Sequence, residues 1–138
     1  MNIFESIRAH LAATAGISSI VGTRVYHGER PQNSDLPAVA FDESGDAESF
    51  QDISGANAGI ARIGISIECY TAGPSPTAAI TLREAVRDAL QTWPKSPMGG
   101  AGGVEVWYCD YTGQSGQYDA ETLTIIREIS FELMYTET

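Results

Sequence analysis

The stretch Ala61-Arg62-Ile63-Gly64-Ile65-Ser66-Ile67-Glu68-Cys69-Tyr70 decides how the rest of the chain is read. Ala61, Ile63, Ile65, Ile67 and Cys69 alternate with Arg62, Gly64, Ser66, Glu68 and Tyr70, so one side is apolar and largely β-branched. Successive side chains of a strand point to opposite faces, and this pattern describes a strand that buries one face only. Such a strand belongs in an antiparallel sheet covered on a single side. The cover follows directly in sequence. After a turn over 71–75, Pro76 fits the first helical position behind a Ser75 cap. Ala79, Leu82, Val86, Ala89, Leu90 and Trp93 then form an apolar stripe at helical spacing, with Arg83, Glu84, Arg87, Asp88 and Gln91 outside it. Pro94 ends the helix, because the residue before a proline avoids the α region.

Toward the N-terminus, Asn2 and Glu5 have the spacing of a capping box. Phe4, Ile7, Leu11 and Ala15 recur at helical spacing, Gly16 is the expected stop, and 17–21 adds one further turn before Gly22. Arg24-Val25-Tyr26 reads as a short extended piece and 28–35 as turn-rich. Leu36-Pro37-Ala38-Val39-Ala40-Phe41 reads as a strand, with its proline near the start, where a missing N–H is tolerated. Toward the C-terminus, 95–103 is a glycine-rich connection. Val104, Val106 and Tyr108 alternate with Glu105, Trp107 and Cys109, 112–117 reads as a turn, and Ile125 to Tyr135 alternates as a long last strand. The order predicts an α+β fold: one domain over 1–138, with a mostly antiparallel sheet of about four or five strands and two helices on one face.

Charge excludes several functions. Eight Lys and Arg stand against 18 Asp and Glu, a net charge of −10. Nucleic-acid recognition needs a basic face that displaces counterions, and attachment to anionic lipid needs basic clusters. No apolar run approaches the roughly 20 residues that span a bilayer. Met1 to Glu5 lacks the basic and apolar regions of a secretory signal, so a reducing cytoplasm is expected. Hydrophobic residues make up 43% of the chain, enough for a packed core. Cys69 and Cys109 fall in strand-like segments, where a free thiol acts as a small hydrophobe. His10 and His27 have no second ligand at zinc spacing. No metal or cofactor is expected.

The search for a reaction centre ends in the same place. Gly113-Gln114-Ser115-Gly116-Gln117 brings its second glycine one position too early for a nucleophile elbow, and no histidine follows it. Gly99-Gly100-Ala101-Gly102-Gly103 precedes a strand, whereas a phosphate cradle opens a helix. The carboxylate pairs Asp42/Glu43 and Asp119/Glu121 sit in expected loops, and residues 42–52 lack the calcium-loop pattern. The chain is therefore not expected to be an enzyme.

Two features remain unabsorbed. Trp107 and Tyr111 share one side of a regular strand, and Tyr70 lies on the less apolar side of its own. They are candidates for a subunit or tube interface, or are tucked against loops by strand twist. Asp42, Glu43, Asp46, Glu48 and Asp52 bring five acids and no base into 42–57. That segment reads as a mobile acidic loop or the arm of a hairpin, either ordered on assembly or simply solvated.

Several pieces together resemble a known family, the tail-completion or tail-terminator proteins of long-tailed phages, prophages and gene transfer agents. They are Gly22-Thr23-Arg24-Val25-Tyr26 after the first helix, Leu36-Pro37-Ala38-Val39 and the 61–70 strand. Leu82-Arg83, Val86-Arg87 and Ala89-Leu90 in the helix, and Tyr118-Asp119-Ala120-Glu121-Thr122 before the last strand, complete the set. The resemblance implies a virion protein that forms a ring of six copies at the head-proximal end of the tail tube. The ring stops tube polymerisation and offers the surface that joins the head. Its implied partners are its own copies, the tail tube protein and a head-completion or connector protein, with DNA passing through the channel unbound. Assembly takes place in the host cytoplasm. The acids of 42–57 are then assembly-loop or channel-lining residues that repel phosphates, unless the negative charge serves solubility alone. The alternatives are another head–tail connector ring protein (a stopper or neck protein) and a small cytoplasmic ligand-binding α+β domain.

Overall fold

Asn2 opens the first helix as the sequence predicts. In this computed structural model, which describes residues 2–31, 34–44, 48–51, 57–73, 76–91, 97–98 and 102–136, the Glu5 N–H donates to the Asn2 side chain at 2.8 Å. The Asn2 N–H donates back to the Glu5 carboxylate at 3.1 Å, closing the capping box. Helix α1 (Ile3–Ala13) ends earlier than Gly16. Thr14 turns to an extended backbone, and both its N–H and its hydroxyl bond the His10 carbonyl. The chain then restarts as α2 (Ala15–Val21), a second helix where one further turn was expected, and Gly22 at φ 62 ends it.

The strands are β1 (Val25–His27), β2 (Ala38–Glu43), β3 (Glu48–Gln51), β4 (Asn57–Ala72), β5 (Val106–Asp119) and β6 (Thr124–Thr136), with α3 (Thr77–Gln91) between β4 and β5. They form one six-stranded sheet in the order β1-β2-β4-β6-β5, and β3 pairs with β4 beyond the end of β2. Only β1 and β2 run parallel. The long strand β4 is central because both its edges are used: β2 and β3 share one, β6 takes the other.

The core lies on the odd-numbered face of β4. Ala61, Ile63, Ile65, Ile67 and Cys69 are all buried, as the period-two pattern predicts. They join Val39 and Phe41 of β2, Ile129, Phe131 and Leu133 of β6, Ile7 and Leu11 of α1, Ile17 and Val21 of α2, and Leu82, Val86 and Leu90 of α3 in one apolar cluster. Burying each large aliphatic side chain contributes about 1.5–3 kcal/mol. Among the described residues the helices pack into this one cluster, which leaves the even-numbered face of β4 uncovered.

Two expectations are corrected and one is narrowed. Residues 112–117 are not a turn: β5 continues through them to Asp119, and the reversal occupies 120–123. Their side chains are polar and mostly exposed, so no alternation marks the strand; its pairing with β6 holds it. Of the two readings of 42–57, loop or hairpin arm, the described part takes the second. Asp42 and Glu43 finish β2, and β3 supplies a hairpin arm against β4; positions 45–47 and 52–56 lie outside the described residues. Trp107 and Tyr111 do not share a side. A bulge between Val106 and Tyr108 breaks the alternation, so Val106, Cys109 and Tyr111 all pack toward the core. Trp93, Pro94 and the expected cap Ser75 also lie outside the described residues.

Candidate assembly surfaces

The register places a band of acids on the uncovered face. Glu68 of β4 stands directly opposite Glu128 of β6, and Asp110 of β5 opposite Glu132 of β6. Like charges paired across strands destabilise a sheet, so each pair needs relief or a partner. Relief is partial. The Tyr70 hydroxyl donates to Glu68, the Tyr108 hydroxyl donates to Glu132 at 2.9 Å, and Arg62 lies 4.0 Å from Glu132. Desolvation, then the bond to the neighbouring carboxylate, raises the pKa of both tyrosines. Among the described residues no cation contacts Glu68, Glu128 or Asp110. These four acids were not singled out from sequence. The alternation that carries Glu68, Glu128 and Glu132 was visible in 61–70 and 125–135, but pairing the four acids requires the register.

The three aromatic candidates sit in different settings. Tyr70 is half-buried on the uncovered face, with the Arg30 guanidinium 5.1 Å over its ring and its hydroxyl committed to Glu68. Tyr111 packs edge-on against Phe131 with ring centres 6.1 Å apart, under the Arg87 guanidinium at 4.4 Å. It belongs to the helix side. Trp107 is 57% exposed and donates its indole N–H to the Thr136 hydroxyl at 2.9 Å. It stands on β5, the outer strand of the sheet, where Tyr118 and Leu123 of the same hairpin are 49% and 58% exposed. No other strand among the described residues pairs with the outer edge of β5. A fourteen-residue open edge is a template for pairing with another chain.

The acidic candidates are also dispersed. Asp42 and Glu43 are exposed at the end of β2, and His27 approaches Asp42 at 3.6 Å while stacked between Phe4 and Phe41. Glu48 lies in β3 opposite Arg62. Asp46 and Asp52 lie outside the described residues.

No grouping of three or more His, Cys, Asp or Glu among the described residues is placed to hold a metal ion. Cys69 and Cys109 are free, and burial pushes both thiols up to about 12, which makes them poor nucleophiles and poor ligands. His10 accepts its place under α3: its Nε2 lies 2.8 Å from the Ala89 carbonyl, and burial lowers its pKa, so the neutral ring donates. A cleft of about 450 Å³ lies between α1 and the entry to β1, where Arg8 is spent on the Val25 carbonyl. A second, of about 340 Å³, opens near the start of α3 beside Arg127. Neither gathers a nucleophile, a base and a stabiliser. No helix among the described residues is long and apolar enough to cross a membrane.

The architecture is thus an α+β sheet whose described helices lie on one side, with an open edge strand and an acid-rich open face among the described residues. Residues 5–136 match the family described as tail completion protein gp17, and the chain belongs to that family. It is a structural protein of a virion tail and not an enzyme. A chain in the solved "Virion of native gene transfer agent (GTA) particle" shares the fold, with a TM-score of 0.68 and 20% identity over 94% of this chain and 91% of that one. No match was found among curated proteins.

Proposed function

We propose that the protein acts as one domain that assembles, six copies to a ring, on the head-proximal end of a tail tube. The ring ends tube growth and presents the surface on which a head-completion protein docks. Membership of the tail completion family is the observation that carries this reading. The geometry supplies a means. A ring is built from head-to-tail contacts between different surfaces of successive copies, and the open β5 edge offers unpaired backbone groups with Trp107 beside them. Tryptophan is among the side chains that anchor interfaces, because it buries a large area with one polar handle. Tyr70 joins it as a second contact, held rigid by Arg30 and Glu68, and Tyr111 acts from beneath as support. The work is stoichiometric, and its energy comes from the buried contacts.

The acid-rich face suits the inner wall of such a ring. Glu68, Asp110, Glu128 and Glu132, with the acids of 42–57, repel DNA phosphates and let the duplex slide without sticking. The test uses purified tail tubes. Wild-type protein added to growing tubes halts elongation and binds tubes in preference to portal-bearing capsids. Trp107→Asp folds but fails to halt elongation. Arrest by Trp107→Asp at wild-type concentration removes Trp107 from the interface, and binding to capsids in preference to tubes replaces the terminator reading with a stopper.

A further inference from the structure

Arg127 has no use in the surfaces described above. It lies in β6 opposite Cys69 of β4 and Gly116 of β5, on the helix side of the sheet. Its guanidinium crosses Gly116 so closely that a Cβ there would overlap Nη1 and meet Cδ at 2.9 Å and Cζ at 3.0 Å. Glycine at 116 therefore leaves the space in which the cation rests. The Arg127 Nε is sealed from solvent with no acceptor, and Arg127 makes no hydrogen bond or ion pair among the described residues. The other arginines are engaged. Arg8 and Arg24 donate to the carbonyls of Val25 and Pro37, Arg30 to Ser34 and Arg87 to Gln91, while Arg62 and Arg83 lie 4.0 and 3.8 Å from Glu132 and Glu84; the Arg83 Nε is likewise buried without an acceptor, but its guanidinium has that carboxylate beside it. Two positions along β4 from Cys69 on the same face, Thr71 is only 3% exposed and its hydroxyl also lacks a hydrogen-bond partner among the described residues.

In a chain with 18 acidic residues, a half-buried guanidinium without a carboxylate is a cost to the free subunit. The cation borders the cleft of about 340 Å³, whose other walls are Pro76, Gln117, Tyr118 and Ile125. One guanidinium beside apolar walls suits an aspartate or glutamate side chain: the fork takes both carboxylate oxygens, and the walls take the methylenes.

We infer that this cleft receives a carboxylate side chain from a second copy of the chain, which makes Arg127 an inter-subunit contact. The inference rests on the ring reading of the proposed function. Charge complementarity selects the occupant. With 18 Asp and Glu against eight Lys and Arg, a neighbouring copy has carboxylates to spare beyond those of the channel face, and a head-to-tail contact brings different surfaces of successive copies together. Surplus acid on one copy meets the spare cation of the next.

The test compares association of wild type, Arg127→Gln, Arg127→Lys and Gly116→Ala, measured as copies per assembly against concentration in solution and on tail-tube tips. Arg127→Gln weakens association about tenfold or more, the scale of a charge-assisted pair. Gly116→Ala keeps the charge, moves the guanidinium off its seat and also weakens association, while Arg127→Lys recovers part of the loss. The melting temperature of unassembled Arg127→Gln equals or exceeds that of wild type, because an unpaired charge is removed. A fall in melting temperature alongside the loss of assembly overturns the inference, since it marks a structural role. A ring indifferent to both Arg127→Gln and Gly116→Ala overturns the inference alone, whereas a wild type that never exceeds one subunit overturns the ring reading with it. Stabilisation by inorganic phosphate that depends on Arg127, with association unaffected by Arg127→Gln, assigns the cleft to a small anion instead.

Discussion

Removing the hydroxyl of Ser6 tests how α1 holds the start of the edge strand. Ser6 is fully buried, and its Oγ accepts the Val104 N–H at 3.0 Å across 98 residues of sequence. Val104 is itself buried, and its carbonyl accepts the Met98 N–H at 2.8 Å, so this one residue bridges α1 to the connection that leads into β5. Ser6→Ala leaves the Val104 N–H without its acceptor between two buried residues. An unmet buried donor costs about 1–3 kcal/mol, so a loss of about 2 kcal/mol is expected. With an unfolding entropy of about 2.1 cal/mol/K per residue, a chain of this length changes stability by about 0.3 kcal/mol per degree near its midpoint. The melting temperature of Ser6→Ala should therefore fall by about 7 °C. Urea unfolding followed by circular dichroism should give the same loss with an unchanged slope, because the surface exposed on unfolding does not change. Exchange of the Val104 amide should quicken. Ser19→Ala, on the exposed side of α2, is the control and should stay within about 0.5 kcal/mol. A Ser6→Ala variant that falls inside that band, with Val104 still protected, refutes the reasoning.

Ile67 pairs with Phe41 on one side and Ile129 on the other at the centre of the core; Ile67→Ala should cost about 2–5 kcal/mol in urea unfolding, and Ser66→Ala next to it on the open face should cost almost nothing. The native protein should resist thiol reagents at pH 8 at both Cys69 and Cys109, whose buried thiols are raised to about 12, and should react fully in denaturant. Because those thiols ionise in the unfolded chain near 9.0 but in the native chain only near 12, the unfolded state binds fewer protons between these values, and stability should fall as pH rises through that window. His10 works in the opposite direction: burial lowers its native pKa below 6.5, so the unfolded state binds more protons there and stability should decline as pH falls below 6.5. Replacing His10 by Gln, which keeps a donor for the Ala89 carbonyl, should flatten that decline in melting temperature against pH.

The parts of the fold that sequence revealed are those where one face is apolar. The alternation of Ile63, Ile65 and Ile67 located β4, the stripe of Leu82, Val86 and Leu90 located α3, and Asn2 with Glu5 located the start of α1. Beyond Tyr111 that signal stops. The Gly-Gln-Ser-Gly-Gln stretch is polar on both sides, and only its pairing with β6 keeps it extended. The bulge at Trp107 is equally silent, because one inserted residue changes which side every later side chain takes without altering composition. The acid pairs Glu68–Glu128 and Asp110–Glu132 needed a register that no single strand carries. That the Arg127 Nε is buried without a hydrogen-bond partner among the described residues became visible only in three dimensions. The family resemblance, in contrast, was readable from the order of short motifs along the chain, and the match over residues 5–136 established it.

The most direct test of the account is to image tail tubes capped by this protein and count the subunits at the tip. The account predicts one closed ring of six copies at the head-proximal end, about 89 kDa at 14.8 kDa per copy, joined through β5 and with the acid-rich face toward the channel. Tubes that continue to grow with the protein bound along their length, or tips carrying one or two copies, would contradict it.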